Sequence, residues 1–301
     1  MRALGIPARR FGRLPKCSTL PRVAGIEGGE VKHRAAVVWL GMIFAGVASC
    51  ASAQALVRMG GSGAGAGIVR QLGDAFTTLH PTIRVVYAPN LGSGGGYRAL
   101  STGRLDISVG SRLPKSGEGK GLKVERFARS PFVIVVQQRN AASAITIPVL
   151  EHYYRDPGAT WPDGTRVRLV LRPADDSDTA LLRAFSPGVS AALDQGLQRP
   201  GMLLGPSDTD AADLVERTPG ALGTTTLGLI LAERRALKAL ELDGKRPSPE
   251  AIAKGQYPHV KTLYLATSAA TGAAARQFIA FMRSARGAAL LREYGFLPAT
   301  N

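Results

Sequence analysis

The sequence predicts an α/β fold built as two domains, and three observations carry that expectation. From Leu56 onward, short segments of alternating apolar side chains take turns with segments whose apolar residues recur every three to four positions, the periods of strands and helices. Strand and helix candidates follow one another singly, the pattern of crossover units around a parallel sheet. The chain has 301 residues, enough for two cores of ordinary size.

Leu56-Val57-Arg58-Met59 reads as the first strand and runs into Gly60-Gly61. Ile68, Leu72, Ala75, Phe76 and Leu79 then share one helical face, closed by Pro81. Ile83 to Tyr87 alternates as a second strand, the Gly92–Gly96 loop leads into a helix around Tyr97–Ser101, and Leu105 to Val109 forms a third strand. Gly117–Lys123 reads as an exposed loop. The unbroken apolar run Pro131 to Val136 marks a strand buried on both faces. A second α/β stretch follows, with helices at Val149–Tyr154, Ala180–Phe185 and Ala211–Arg217 and strands at Val167–Leu171 and Ala221–Thr225. Lys238–Leu242 and Val260–Thr267 read as strands, and Ala273–Tyr294 as one long helix broken near Gly287.

Upstream, Val31-Lys32-His33-Arg34 precedes an uncharged apolar stretch, Ala35 to Ala48, and then Ser49-Cys50-Ala51-Ser52-Ala53-Gln54-Ala55. A basic region, a short apolar region and a small-residue cleavage zone are the parts of a secretory signal peptide. Residues 31–55 are therefore expected to be removed and the protein to act in the periplasm or another extracytoplasmic space. Residues 1–30 are expected to be an upstream extension, with translation starting at Val31. Two other readings stay open. Ala35 to Val57 gives 23 residues without charge, long enough to span a bilayer, and Val47-Ala48-Ser49-Cys50 resembles a lipoprotein acylation site, which would leave a lipid anchor on Cys50.

Both cysteines, Cys17 and Cys50, fall in this leader, so a disulfide, a thiolate metal site or a cysteine nucleophile is excluded from the rest. Without the 8 basic and 2 acidic residues before Leu56, the formal charge of +16 falls to +10. That balance suits an anionic partner. Nucleic acid is not expected, because the arginines are scattered and aromatic residues make up only 6% of the chain.

Three loops place small, hydroxyl-rich residues where a helix begins: Gly61-Ser62-Gly63-Ala64, Gly92-Ser93-Gly94-Gly95-Gly96 and Asp175-Asp176-Ser177-Asp178-Thr179. Each would offer free backbone N–H groups at the positive end of a helix dipole, and together they would make an anion site without metal or cofactor. N-capping alone is the competing reading of the same serines and of Asp175 and Asp176.

These pieces resemble the periplasmic phosphate-binding proteins of ABC importers, within the type II solute-binding superfamily. Gly61 through Phe76 is similar to that family's first loop and helix. Asn90-Leu91-Gly92-Ser93-Gly94-Gly95-Gly96 with Asp106-Ile107-Ser108-Val109-Gly110-Ser111 resembles its second loop and third strand. Thr218-Pro219-Gly220-Ala221-Leu222-Gly223 resembles a family turn, and Phe278–Pro298 its tail. The resemblance implies a type II periplasmic-binding-protein fold: two Rossmann-like α/β domains joined by crossing hinge strands, 56–136 with 226–301 as the first and 137–225 as the second. It further implies a monomer that closes on one small tetrahedral oxyanion and delivers it to an ABC permease, with no covalent chemistry. Ligand contacts would come from Ser62, Gly63, Ala64, Ser93 and Gly94, from Ser111 and Arg112, and from Arg172, Ser177, Asp178 and Thr179.

Two departures from the family pattern bear on the ligand. Arg112 stands where the family has an Asp that accepts the proton of the bound phosphate. A guanidinium accepts nothing, so the chain is expected to tolerate sulfate, molybdate or tungstate beside phosphate. Asp178 stands in place of a glycine, and its carboxylate would repel an anion unless paired with Arg112 or Arg172; an Arg112–Asp178 ion pair across the cleft would compensate both changes. A same-fold sensory or scaffolding protein without anion transport is the alternative. A dinucleotide site fails because Val85 to Asn90 supplies no acidic residue at the second strand's end, and a P-loop fails for want of Gly-Lys-Ser/Thr. His80, His152 and His259 sit in no nucleophile motif, and the spacing of Asp175, Asp176 and Asp178 is not that of a calcium loop.

Overall fold

The structure, a computed structural model, describes residues 54–299. The upstream extension, most of the signal sequence, Cys17 and Cys50 lie outside these residues. Among the described residues no helix is long and apolar enough to cross a membrane.

The chain opens with β1 (Ala55–Gly61), a 3-10 turn (Gly63–Gly65), α1 (Ala66–Leu79), β2 (Ile83–Ala88), α2 (Gly92–Ser101) and β3 (Ile107–Gly110). The long strand β4 (Lys123–Gln137) follows, then β5 (Ala144–Ile145), α3 (Ile147–Arg155), β6 (Arg168–Leu171), α4 (Ser177–Arg183), α5 (Pro187–Leu197), β7 (Leu203–Leu204), α6 (Asp208–Arg217) and β8 (Ala221–Thr226). Last come α7 (Leu227–Ala232), β9 (Leu237–Ala239), β10 (Glu241–Leu242), α8 (Pro249–Ala253), β11 (Val260–Thr267), α9 (Ala273–Met282), α10 (Ala285–Glu293) and β12 (Leu297–Pro298).

One sheet carries the strands in the order β2-β1-β3-β11-β4-β8-β6-β7, with β9 and β12 also on β4. The parallel pairing expected for the first three strands holds, and the sheet as a whole is mixed. β1 pairs in parallel with β2 and β3, and β6 with β7 and β8, but β11 and β4 join these groups through antiparallel ladders. The parallel groups come from local crossover units. β11 enters between β3 and β4 from far downstream, so no local pattern announces its direction.

β4 serves two cores. Phe127 and Ala128 pack with α1, β1, β3, β11, α9 and α10 around Ile68, Leu72, Phe76 and Phe278. Phe132 to Val136 pack in a larger cluster with β6, β8 and the helices between them, and Leu229, Ile230, Leu237, Leu240 and Tyr257 join this cluster too. A small third cluster of Tyr97, Leu100, Leu105 and Ala266 seats α2 on the sheet.

α1 forms as its pattern predicts, with Ile68, Leu72 and Phe76 fully buried at four-residue spacing and His80 ending it before Pro81. α2 can lie close to β1 only because Gly96 has no side chain: a Cβ there would sit 2.7 Å from the Gly61 Cα. The terminal helix is in fact two, and the break falls at Arg283-Ser284 rather than Gly287. The Ser284 hydroxyl caps α10 by accepting from the Gly287 amide at 3.2 Å. The strand expected over Lys238–Leu242 is likewise split into β9 and β10, and α5, α7 and α8 were not anticipated.

Candidate anion-binding site

The three helix-start loops converge. They line a cavity of about 400 Å³ together with the turn after β3 and the start of α6, and its walls include Ser62, Gly63, Ser93, Gly94, Ser111, Arg112, Arg172, Ser177 and Asp208. Two other hollows of about 510 and 450 Å³, over Arg235 and over Arg199, contain none of these loops.

A chain of hydroxyls crosses the cavity. Ser93 on the first turn of α2 accepts from the Ser111 amide at 2.9 Å, the Ser93 and Ser111 hydroxyls lie 3.2 Å apart, and the Ser111 and Ser177 hydroxyls lie 3.0 Å apart. The turn that carries Ser111 is held by Tyr97, whose hydroxyl donates to the Arg112 carbonyl at 2.5 Å. Burial pushes the Tyr97 phenol up to about 12, so it remains a donor at neutral pH. Ser62, at the head of α1, is fixed by Tyr87, whose hydroxyl donates to the Ser62 carbonyl at 2.6 Å.

Arg112, Glu118, Arg172 and Asp176 on the walls are paired. Arg112 grips Glu118 bidentately at 2.6 and 3.0 Å, and Glu118 also accepts from the Lys115 amide. Hydrogen bonding to Arg112 holds the Glu118 carboxyl down at about 2. Arg172 donates to the Gly205 carbonyl at 2.6 Å and to Asp176 at 2.9 Å, while Asp176 caps α4 by accepting from the Asp178 amide. N-capping is therefore the observed role of Asp176.

Beneath the floor lies a buried cluster that the sequence reasoning missed. Lys261 is fully buried on β11 and donates to both Asp178 and Asp208. Burial disfavours the Lys261 ammonium, but the carboxylates of Asp178 and Asp208 outweigh it and keep the amine charged. For Asp178 burial is the larger effect and pushes its carboxyl up against the pull of Lys261. For Asp208 burial is outweighed by Lys261, Arg172 and the Ala64 amide, so its carboxyl is held low. Arg172 Nε and Asp178 Oδ2 face each other at 3.9 Å, neither with a hydrogen bond.

Of the predicted residues, the structure brings Ser62, Gly63, Ser93, Gly94, Ser111, Arg112, Arg172 and Ser177 to the cavity wall. Ala64 is buried. Three expectations are corrected. Asp178 faces inward to Lys261, 1% exposed, and takes no part in the wall. The Arg112–Asp178 ion pair is absent: Arg112 is satisfied within its own loop by Glu118, six residues on, at far lower cost in chain ordering than a reach across the cavity. Thr179 is also withdrawn, its hydroxyl donating to the Pro173 carbonyl at 2.8 Å. One sequence signal could have found Lys261: it shares the strand face of Leu263 and Leu265, where an apolar residue belongs.

His80, His152 and His259 do not line the cavity. Among the described residues, no group of three or more His, Cys, Asp or Glu side chains is placed to hold a metal ion. The arrangement offers hydroxyls and backbone amides at helix starts, with guanidinium groups nearby.

The cavity opens among loops at the ends of sheet strands and at helix starts. Residues 48–286 match the PBP superfamily domain, and the chain belongs to that family. It is 27% identical over 274 residues to Protein SphX of Synechococcus elongatus, covering 82% of this chain and 79% of that one. It is 22% identical over 218 residues to the phosphate-binding protein PstS of Bacillus subtilis, covering 70% of each. Among solved structures, a Clostridium perfringens protein described as a phosphate ABC transporter substrate-binding protein, with bound phosphate, superposes with a TM-score of 0.67 at 18% identity over 81% of this chain and all of that one. An ABC-type phosphate transport receptor from Vibrio cholerae gives 0.54 at 23% identity over 80% and 99%.

Proposed function

We propose that this protein is the solute-binding component of an ABC importer and captures phosphate or a related small tetrahedral oxyanion in the 400 Å³ cavity. The observation that carries the reading is the hydroxyl chain Ser93–Ser111–Ser177, which links the start of α2, the end of β3 and the start of α4 across one cavity. Each hydroxyl can turn its hydrogen toward a ligand oxygen, and Arg172 and the α2 amides supply positive potential. The similarity to SphX and PstS supports the same ligand class. Binding and release would make and break no covalent bond, and the protein would act as an extracytoplasmic monomer that hands its ligand to a permease.

The two main cores suggest two lobes, with β4 passing between them and the cavity at their junction. Ser177 already meets Ser111 at 3.0 Å, and opening of the lobes would part them to admit the ligand. Isothermal titration with phosphate, sulfate, molybdate and tungstate tests the reading. Saturable binding of phosphate is expected, weakened at least tenfold in Ser93→Ala with Ser177→Ala. A flat response to all four anions would refute it.

A further inference from the structure

We propose that the hollow at the start of β6 is a second ligand site, built for an organic anion: an apolar body, ring or acyl chain, that carries one sulfonate, carboxylate or phosphate group. The hollow measures about 450 Å³ and shares no wall with the oxyanion cavity. β6 runs from one to the other, since Arg168 at its first position lines the hollow and Arg172, one residue past its end, lines the cavity. Oxyanion capture uses nothing in it, so the two readings stand or fall separately.

Three guanidinium groups reach its walls, on Arg166, Arg168 and Arg199. Two of them are held in place without being neutralised. Arg166 donates from Nε and Nη2 to the Pro157 carbonyl at 3.2 and 2.9 Å, which leaves its Nη1 for a ligand. Arg199 donates from Nη2 to the carbonyl of Arg155 at the end of α3, and its Nε and Nη1 remain. Arg168 is exposed and makes no ion pair among the described residues. Capping the end of α3 accounts for one nitrogen of Arg199 and for nothing of Arg168. A carbonyl fixes a guanidinium but leaves its charge uncancelled, so these donors are set for an anion. Among the described residues Asp156 is the one carboxylate on the walls. It accepts from the Gly158 amide at 2.7 Å, and its other oxygen lies 4.0 Å from His152.

The floor is apolar. Leu169 is buried, Met202 and Leu203 are half-buried, and the ring of Tyr153 is held edge-on against Trp161 with 5.1 Å between centroids. An inorganic oxyanion would leave this floor uncovered, whereas an apolar body covers it and gains the burial. Cations on the walls over an apolar floor therefore select an amphiphilic anion.

The test is fluorescence titration of the purified protein with anilinonaphthalene sulfonate, beside N-phenylnaphthylamine, the same body without the charge. One sulfonate probe per chain is expected to bind, at least about tenfold more tightly than the uncharged one, the scale of one hydrogen bond to a charged group. Arg168→Ala with Arg199→Ala is expected to weaken the sulfonate by about tenfold or more and to leave phosphate binding unchanged. Should that pair fail to fold, Arg168→Glu alone, at an exposed position, carries the same comparison. Displacement of the probe by dodecanoate or by naphthoate supports the site and tells a chain from a ring; displacement by neither would overturn it. Equal binding of the two probes, or sulfonate binding untouched in the folded variants, would overturn it as well. So would loss of the probe on adding phosphate, which would place it in the oxyanion cavity. Probe binding by a protein that takes up no phosphate would refute oxyanion capture and leave this site standing.

Discussion

Lys261 is the residue on which the site's foundation turns. It donates to two buried carboxylates at once, whereas Arg172 comes no nearer than 3.9 Å to either. Lys261→Met is expected to cost about 3–5 kcal/mol in urea unfolding, because it strands Asp178 and Asp208 without their cation. Adding Asp178→Asn should recover part of that loss, and full additivity of the two changes would contradict the coupling. Glu118 carries a pH prediction. Its carboxyl is held at about 2 in the folded protein against an ordinary 4.5, so its stabilising contribution is present above 4.5 and lost as pH falls from there toward 2. Glu118→Gln should therefore lower the melting temperature at pH 6 and converge on the unaltered protein near pH 2, as read by thermal unfolding across that range.

At the scale of elements, the cavity depends on how closely two segments approach and on how one helix starts. α2 presents Ser93 and Gly94 only because Gly96 lets it settle on β1, where a side chain would meet the Gly61 Cα and the Ser108 hydroxyl. Gly96→Ala should destabilise by about 1–3 kcal/mol, as overpacking does, and lift α2 from Ser111. The expected signature is weaker phosphate binding as well as a lower unfolding midpoint; loss of neither would show that the contact yields freely. α6 is started by Ser207, whose hydroxyl accepts from the Asp210 amide at 3.1 Å while the Asp210 carboxylate receives the Ser207 amide at 3.1 Å. Ser207→Ala should cost about 1 kcal/mol in stability.

For the whole molecule, β4 is the element shared by both cores, and contacts from one wall of the cavity to the other are few and polar. Ser111 to Ser177 and Ser62 to Asp208 are such contacts. Hydrogen bonds of this kind contribute about 1 kcal/mol each, little enough to open and remake around a ligand. Saturating phosphate is therefore expected to lower the radius of gyration in small-angle X-ray scattering and to raise the melting temperature in proportion to the logarithm of its concentration. A melting temperature that climbs with no change in scattering would locate the ligand in a cleft that does not close.

The sequence by itself determined the α/β class, most strands and helices, and eight of the residues now found on the cavity wall. Those features are local: a strand announces itself by a period of two, a helix by 3.6, and a helix start by small hydroxyl residues after glycine. The caps and breaks of the last helices were half legible, since Ser284 and Gly287 are both turn residues and only the hydrogen bond shows which one acts. What only the tertiary structure decided is the pairing of charge. Lys261 meets Asp178 across 83 residues, and Ser62 meets Asp208 across 146. Whether a carboxylate faces a ligand, caps a helix or neutralises a buried lysine depends on the few ångströms around it, because an ion pair is set by distance and desolvation in space. Asp178 and Asp208 look alike in the sequence, yet the fold turns one away from the cavity and the other toward it.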